Sequence, residues 1–415
     1  MVTKNPTSAV AISLIALLLG FLIYMALKSA AAHLRAAKLR SVRMDSRAAM
    51  LVCLEQSPPP NTSGMKPALD RLLAPVLERG VLAAETGAGL VIGILDRGVQ
   101  EIYAYGAAKE DSIFEIGSVT KTFTGLALAQ MIAQKQVTLD QPVRELLPSA
   151  AVSKPAGAEI TLLDLVTQRS GLPRLPNNLS ITMNNPYAHY GSDRLYRYLR
   201  KRGLAKPAGA QFEYSNLGFG LLGQVLARRA GMSYEELIRR QVCEPLGMTD
   251  TAVTLSRAQK TRLIPGHNRA NKPCASWDFK DALAGCGALR STASDLLRYV
   301  DANLHPEQFA RMEAEPNSPA GTLPEAIVLS HQEHGDAQGS FKIAFAWMYV
   351  PQTLGFWHNG GTGGYTAEIL FNVKKNRGIV VLHNRNDITR LRSKPKFSSE
   401  VLENVVRLMN SADQR

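Results

Sequence analysis

Ser118-Val119-Thr120-Lys121 begins a run, residues 118–131, whose apolar positions recur at helical spacing. A serine and a lysine three positions apart stand on one helical face, so the amine reaches the hydroxyl. A hydroxyl is a weak nucleophile until a base removes its proton. Gly117 permits a sharp turn into the helix, whose first N–H groups favour negative charge. The stretch predicts a nucleophile with its base, although an N-capping serine with a solvated lysine fits it equally.

Two further motifs lie downstream. Tyr214-Ser215-Asn216 precedes an apolar helical run at 217–226, which predicts a loop held by a helix. Residues 357–365 read Trp-His-Asn-Gly-Gly-Thr-Gly-Gly-Tyr, and strand-like runs follow at 366–372 and 379–383. Glycine beside a strand permits close approach of a ligand to the backbone. A helix cap and a hairpin bend explain each motif alone, whereas the three together favour a catalytic site.

The motifs resemble those of the serine β-lactamase and penicillin-binding protein superfamily, which include Ser-x-x-Lys and Lys-Thr-Gly. The second motif is similar to the Tyr-x-Asn of class C β-lactamases and their D-alanyl-D-alanine carboxypeptidase and esterase relatives. Residues 160–173, 244–248, 287–292 and 378–386 are also similar to that branch. The resemblance covers roughly residues 68–411.

The resemblance implies an α/β (α+β) fold of the β-lactamase/transpeptidase type, with an antiparallel sheet flanked by helices and an all-helical insertion. The pattern fits, because strand-like runs lie at 89–95, at 99–105 and after residue 344, with helical periodicity between them. We therefore expect one catalytic unit rather than several domains. The predicted division is an N-terminal membrane anchor or signal segment at 1–34, a basic linker at 35–67 and a hydrolase domain at 68–411.

The resemblance also implies acyl transfer. Ser118 would attack the carbonyl of a β-lactam or peptide amide, and Lys121 and Tyr214 would share the proton network that activates it. Asn216 would orient Lys121 and bind the substrate amide. The backbone N–H groups of Ser118 and Gly361 would form the oxyanion hole. The residues expected to bind substrate are Asn216, His358, Asn359, Gly360, Gly361 and Asn386.

One departure from the family pattern stands in the third motif. Where β-lactamases usually have Lys-Thr-Gly, this chain has His358-Asn359-Gly360. Because a histidine titrates near pH 6.5, we expect activity on a carboxylate-bearing substrate to fall as the pH rises through the His358 pKa. Asn386, with Arg385 or Arg390, is expected to assist in holding the carboxylate. Carboxypeptidase and esterase relatives carry histidine at this position.

Three functions fit these residues. The first is a serine hydrolase that acts on β-lactams or on the D-Ala-D-Ala stem peptides of peptidoglycan. The second is an esterase that uses the same serine. The third is a penicillin-binding sensor or scaffold with slow or no turnover. We expect no metal or cofactor, since the eight histidines and four cysteines show no CxxC or HExxH spacing.

Charge is concentrated in two segments. The formal net charge is +13, and residues 1–60 and 373–396 carry most of it. The remainder is close to neutral, so the composition does not indicate a nucleic-acid partner. The basic segments indicate either contact with an anionic membrane or wall polymer, or simply solvated charge.

Residues 9–27 form an apolar run, broken only by Ser13, that would span about 28 Å as a helix. This run predicts a membrane partner, as an uncleaved anchor or as a signal that is cleaved. Basic residues after it favour a cytoplasmic flank, whereas chemistry on the cell wall requires the opposite side. We expect the periplasmic face of a bacterial cell envelope.

The cysteines give two expectations. Cys274 and Cys286 flank a short loop and could pair in an oxidising compartment, a question that the sequence leaves open. Cys243 lies in an apolar helical pattern, which predicts a small buried hydrophobe. Cys53 lies too far beyond the apolar run for a lipoprotein signal.

Overall fold

The structure is a computed structural model that describes residues 65–77, 82, 86–149, 151–180, 185–207, 209–268, 270–309, 315–386 and 397–412. The predicted apolar segment at 9–27, most of the linker, Cys53 and Arg390 lie outside these residues. Within them, no helix is both long and apolar enough to cross a bilayer.

Twelve α-helices and eleven strands occur in the described residues. The helices are α1 Met65–Leu77, α2 Thr120–Ala133, α3 Leu162–Val166, α4 Ser192–Arg202, α5 Asn216–Ala230, α6 Tyr234–Ile238, α7 Glu244–Leu246, α8 Arg257–Lys260, α9 Asp281–Ala284, α10 Ala293–Leu304, α11 Pro319–Ser330 and α12 Phe397–Ala412. The strands are β1 Gly89–Asp96, β2 Val99–Gly106, β3 Phe114–Glu115, β4 Gly266–His267, β5 Pro273–Cys274, β6 Arg290–Ser291, β7 Lys342–Ile343, β8 Met348–Val350, β9 Gly355–Gly361, β10 Thr366–Asn372 and β11 Arg377–His383.

The main sheet joins the two ends of the described chain. Its order is β2-β1-β11-β10-β9-β8-β7, and the neighbouring strands pair antiparallel. Strand β1 pairs with β11 from Leu90 opposite His383 to Asp96 opposite Arg377. Most of the helices lie in the chain between β2 and β7. The predicted antiparallel sheet with a helical insertion is confirmed.

Both faces of the sheet are covered. Alternate residues of a strand point to opposite faces, and every residue of β1 is buried. Leu90 and Ile92 pack in a cluster with residues of α1 and α12. Val91 and Leu95 face the larger core, which contains α2, α5 and α10. The sheet therefore lies between helices α1 and α12 on one side and the helical part of the molecule on the other.

Helix α2 runs through the middle of the helical part. All its residues from Thr120 to Met131 are buried, so it has no solvent face. A helix that is apolar all round fits the interior of a large domain. The first sequence motif is consequently held at the start of one of the most enclosed elements of the fold.

The pairing of Cys274 with Cys286, which the sequence left open, is not formed in the structure. Cys274 and Cys286 are both free thiols, as is Cys243. Cys286 is buried just after α9, whereas Cys274 lies in β5 and packs against Gly364 of the third motif. The two thiols thus face different surroundings. Cys243 is 2% exposed, and its prediction as a small buried hydrophobe is confirmed.

Candidate active site

The first motif forms the turn into α2. Ser118 lies in a 3₁₀ turn, Gly117–Val119, and Gly117 has a φ of +50°, which favours glycine. Lys121 Nζ lies 3.1 Å from Ser118 Oγ and donates to the carbonyl oxygen of Cys286 at 2.6 Å. The Lys121 side chain is completely buried. The spacing therefore places the amine on the hydroxyl, as predicted.

The Nζ atom of Lys121 has neutral oxygens as its hydrogen-bond partners. One is the Ser118 hydroxyl and the other is a backbone carbonyl. The hydroxyl and the carbonyl hold the nitrogen in position beside Ser118. The arrangement suits a group that must exchange a proton with Ser118.

The second motif is tied to the preceding loop. Ser215 caps α5 by accepting a hydrogen bond from Gly218 N at 2.8 Å, and its hydroxyl donates to the Pro173 carbonyl at 2.7 Å. Its own backbone N–H donates to Gln168 Oε1 at 2.7 Å. These bonds fix Tyr214, whose ring centroid lies 4.9 Å from Lys121 Nζ. The structure thus brings the second motif to the first.

Asn216 begins α5 and turns its side chain inwards. It is 8% exposed, and its Oδ1 atom is buried with no hydrogen-bond partner among the described residues. Burial raises the pKa of Tyr187, whose hydroxyl lies beside the Asn216 side chain. A buried acceptor without a donor costs free energy. A ligand N–H that bonds to Asn216 Oδ1 would remove this cost.

The third motif brings a strand end against Ser118. A Cβ on Gly360 would overlap the Ile116 carbonyl oxygen and lie 2.9 Å from Ser118 N. A Cβ on Gly117 would lie 2.5 Å from Gly361 N. Only glycine permits this approach of β9 to the first motif. The two backbone N–H groups expected to form the oxyanion hole are therefore neighbours.

His358 differs from the expectation. It is 3% exposed, and its Nδ1 donates to the Asn359 carbonyl at 2.7 Å. Burial, and then the charge of Lys121, lowers the pKa of His358 to about 3. The predicted titration near neutral pH is therefore wrong, because no water stabilises the imidazolium at this position. His358 is a neutral group throughout the ordinary pH range.

The remaining predicted residues lie at the same end of the sheet. Asn359 is half-buried on β9 and pairs in register with Glu368 of β10. Asn386 follows β11, and its backbone N–H donates to the His267 carbonyl at 2.8 Å. Residues His383, Thr366 and Gly361 are aligned across β11, β10 and β9. Asn386 is thus separated from the glycines of the third motif by one intervening strand.

Two groups at the candidate site could not be predicted clearly from the sequence. The carbonyl of Cys286, which holds Lys121, is a backbone group that no residue pattern reveals. The guanidinium carbon of Arg174 lies 5.1 Å from the Tyr214 ring centroid. Its only sequence signal is that it directly follows the segment 160–173, which resembles the class C branch. The described residues contain no group of three or more metal-ligating side chains.

Known proteins resemble this chain in sequence and fold. The Beta-lactamase family model matches residues 70–401. The D-alanyl-D-alanine-carboxypeptidase/endopeptidase AmpH of Escherichia coli (strain K12) is 28% identical over 323 residues, which are 74% of this chain and 81% of that protein. A protein named Beta-lactamase from Pseudomonas fluorescens is 26% identical over 340 residues, 72% of this chain and 89% of its own length.

Two solved structures share the architecture. A class C beta-lactamase in complex with cefoxitin superposes with a TM-score of 0.67 at 22% identity, covering 85% of this chain and 99% of that one. A Beta-Lactamase/D-Alanine Carboxypeptidase from Pseudomonas syringae gives 0.66 at 20% identity, covering 82% and 98%. At these identities the likeness shows the fold alone.

The family match covers most of the chain and includes all three motifs. The relatives matched in sequence agree with it, and the fold is that of class C β-lactamases. The chain is accordingly a serine β-lactamase-like hydrolase. It belongs to the Beta-lactamase family.

Proposed function

We propose that the chain cleaves amide bonds of β-lactams or D-Ala-D-Ala peptides through an acyl-enzyme on Ser118. The observation that carries this proposal is the 3.1 Å contact between Lys121 Nζ and Ser118 Oγ, beside the Tyr214 ring at 4.9 Å. The sequence relatives support it, since they are named as a β-lactamase and as a D-alanyl-D-alanine-carboxypeptidase/endopeptidase.

In the acylation step, Ser118 Oγ bonds to the carbonyl carbon of the substrate. Its proton passes to the network of Lys121 and Tyr214, and from there to the leaving nitrogen as the C–N bond breaks. Water then cleaves the acyl ester and gives a proton to the same network, which returns it to Ser118. The proximity of Tyr214 to Lys121, with the ring centroid 4.9 Å from Nζ, supports a role for Tyr214 in both steps.

Negative charge on the substrate oxygen would be stabilised by the backbone N–H groups of Ser118 and Gly361. The glycines at 117 and 360 keep the two backbone segments in contact. One such donor is typically worth about 3 kcal/mol in the transition state. Asn216 Oδ1 would accept a hydrogen bond from the N–H of the acyl part, because this buried oxygen has no other partner among the described residues.

An esterase is the second candidate. The observation that favours it is the neutral, buried His358 in place of the usual lysine, because an ester substrate needs no cation at the third motif. A penicillin-binding sensor differs only in the last step, which is then too slow for turnover. These candidates share Ser118, Lys121 and Tyr214.

The catalytic domain is proposed to span residues 68–411, preceded by an anchor or signal at 1–34 and a basic linker at 35–67. Helix α1, which begins at Met65, packs with α12 on the outer face of the sheet and so belongs with this domain. The proposed location is the periplasmic face of a bacterial envelope, because the substrates lie there. A reporter enzyme that works only outside the cytoplasm can be fused to the C-terminus. We expect this fusion to be active, and an inactive fusion would contradict the proposed location.

Substrate assays test the function. The full chain, in detergent, is incubated with a chromogenic cephalosporin, an acylated D-Ala-D-Ala peptide and a p-nitrophenyl ester, beside Ser118→Ala. We expect ring opening or D-alanine release that is lost in the variant. Hydrolysis of the ester alone would replace the proposal by the esterase, and activity unchanged in Ser118→Ala would overturn all candidates.

A further inference from the structure

Arg174 stands at the mouth of the candidate site. Its side chain is exposed, and the guanidinium carbon lies 5.1 Å from the Tyr214 ring centroid. Its backbone carbonyl accepts hydrogen bonds from Asn216 N at 3.0 Å and Leu217 N at 3.3 Å. The start of α5 thus fixes the backbone of Arg174. The position of this cation is a consequence of the same contacts that place the second motif.

No carboxylate pairs with Arg174 among the described residues. Other arginines of the molecule have such partners, as Arg144 has in Glu159 at 2.8 Å. Burial raises the pKa of the Tyr187 hydroxyl and of the Cys286 thiol, and the charge of Arg174 opposes that rise in both. The guanidinium charge therefore reaches the groups that surround the site.

The lysine of the first motif is already committed. Lys121 is buried and binds Ser118 and Cys286. His358 is buried and neutral, so the third motif supplies no cation. The three motifs therefore supply no free cation for a substrate carboxylate. Arg174 offers an exposed one, and guanidinium groups bind carboxylates through two parallel hydrogen bonds.

The chemistry of the substrates indicates which carboxylate this is. In a penicillin-type β-lactam and in a D-Ala-D-Ala peptide, the leaving nitrogen is bonded to a carbon that bears a carboxylate. The proposed proton transfer places that nitrogen at Tyr214. We infer that Arg174 pairs with the carboxylate of the leaving group, which makes it a specificity residue at a position outside the three motifs. This inference rests on the proposed function for the orientation of the substrate.

Binding without turnover tests the inference. The full chain carrying Ser118→Ala is titrated calorimetrically with an acylated D-Ala-D-Ala peptide and with the same peptide ending in a carboxamide. We expect the acid to bind at least about tenfold more tightly than the amide, as a charge-assisted hydrogen bond gives. Adding Arg174→Ala should remove this preference and leave the affinity for the amide within about twofold. Arg174→Lys should retain part of the preference.

Arg228→Ala is the matched control. Arg228 is also an exposed arginine, in the last turn of α5, about 18 Å along the helix from Asn216. It should leave both affinities unchanged. Equal binding of acid and amide, an equal loss of both in Arg174→Ala, or no binding of either would overturn the inference. Failure of the proposed function is separate, since it shows as absent turnover in the unmodified chain.

Discussion

The floor and the rim of the site are built in different ways. The floor consists of buried groups, with Lys121 at 0% and His358 at 3% exposure, on α2 and β9. The rim consists of Tyr214 and Arg174, on accessible backbone that is held by loop hydrogen bonds. The floor is positioned by packing and close backbone contact, and the rim by a few polar bonds. We therefore expect chemistry to depend on the floor together with Tyr214, and substrate choice to depend on Arg174.

The largest effect should come from the floor. Lys121→Met keeps a side chain of similar length but removes the amine that contacts Ser118 at 3.1 Å. Without a general base, kcat should fall by about 10³- to 10⁴-fold. Steady-state hydrolysis measures it, with circular dichroism as the control for folding. A loss below about tenfold would show that the lysine is not the base.

The next effect should come from the strand end. Gly360→Ala introduces a Cβ that overlaps the Ile116 carbonyl, so β9 must move away from Ser118. Displacing an oxyanion donor should lower kcat by about 10²-fold. Gly157→Ala is the control, because its Cβ would meet no atom within 4 Å. Equal activities of the two variants would contradict the proposed position of Gly361 N.

Acid should lower the free energy of unfolding through two buried histidines. Burial lowers the pKa of both His358 and His383 to about 3, so the unfolded chain binds these protons more tightly. These two groups leave the free energy of unfolding unchanged above about pH 6.5, and they lower it as the pH falls towards 3. Between pH 7 and 5.5 the free energy of unfolding should drop by about 1 kcal/mol for each histidine. Denaturant unfolding at both pH values measures this.

His358→Asn isolates one of these contributions. The variant should lose less stability on acidification than the unmodified chain. Glu115 acts with the opposite sign, because burial raises its pKa, but it is common to both proteins. The activity profile between pH 6 and 8 should keep its shape in the variant. If the free energy of unfolding depends on pH in the same way in the variant and in the unmodified chain, His358 takes up its proton in the fold as readily as in the unfolded chain.

The smallest effect concerns Cys274 and Cys286, whose pairing the sequence left open. Cys274→Ser should change the free energy of unfolding by less than about 0.5 kcal/mol under oxidising conditions. Removing a native disulfide would instead cost about 2–5 kcal/mol. Chemical denaturation with and without a reductant distinguishes the two. If oxidising conditions raise the free energy of unfolding of the unmodified chain but not of the variant, the disulfide does form.

Local patterns predicted the elements of the floor. The strand-like run at 366–372 is β10 with the same bounds, and the three-residue spacing placed Lys121 against Ser118. Both depend on short-range periodicity, which a single sequence contains. The antiparallel sheet joining the chain ends was also predicted, because strand-like runs occur on both sides of a helical segment.

The rest depended on contacts between distant residues. The carbonyl of Cys286 reaches Lys121 across 165 positions of the chain. Arg174 reaches Tyr214 only because hydrogen bonds join the loop after α3 to the start of α5. The burial of His358 follows from the sheet and its covering helices. A sequence gives such a residue its ordinary pKa, and only the fold reveals the change.

Covalent capture by a penicillin tests the central claim most directly. The full chain and its Ser118→Ala variant are mixed with a penicillin, quenched in acid within seconds and measured by intact-protein mass spectrometry. We predict one adduct of the mass of the penicillin on the unmodified chain, located by peptide mapping at Ser118, and none on the variant. An adduct on both proteins, or no adduct on either folded protein while the penicillin stays intact, would contradict an acyl-enzyme at Ser118.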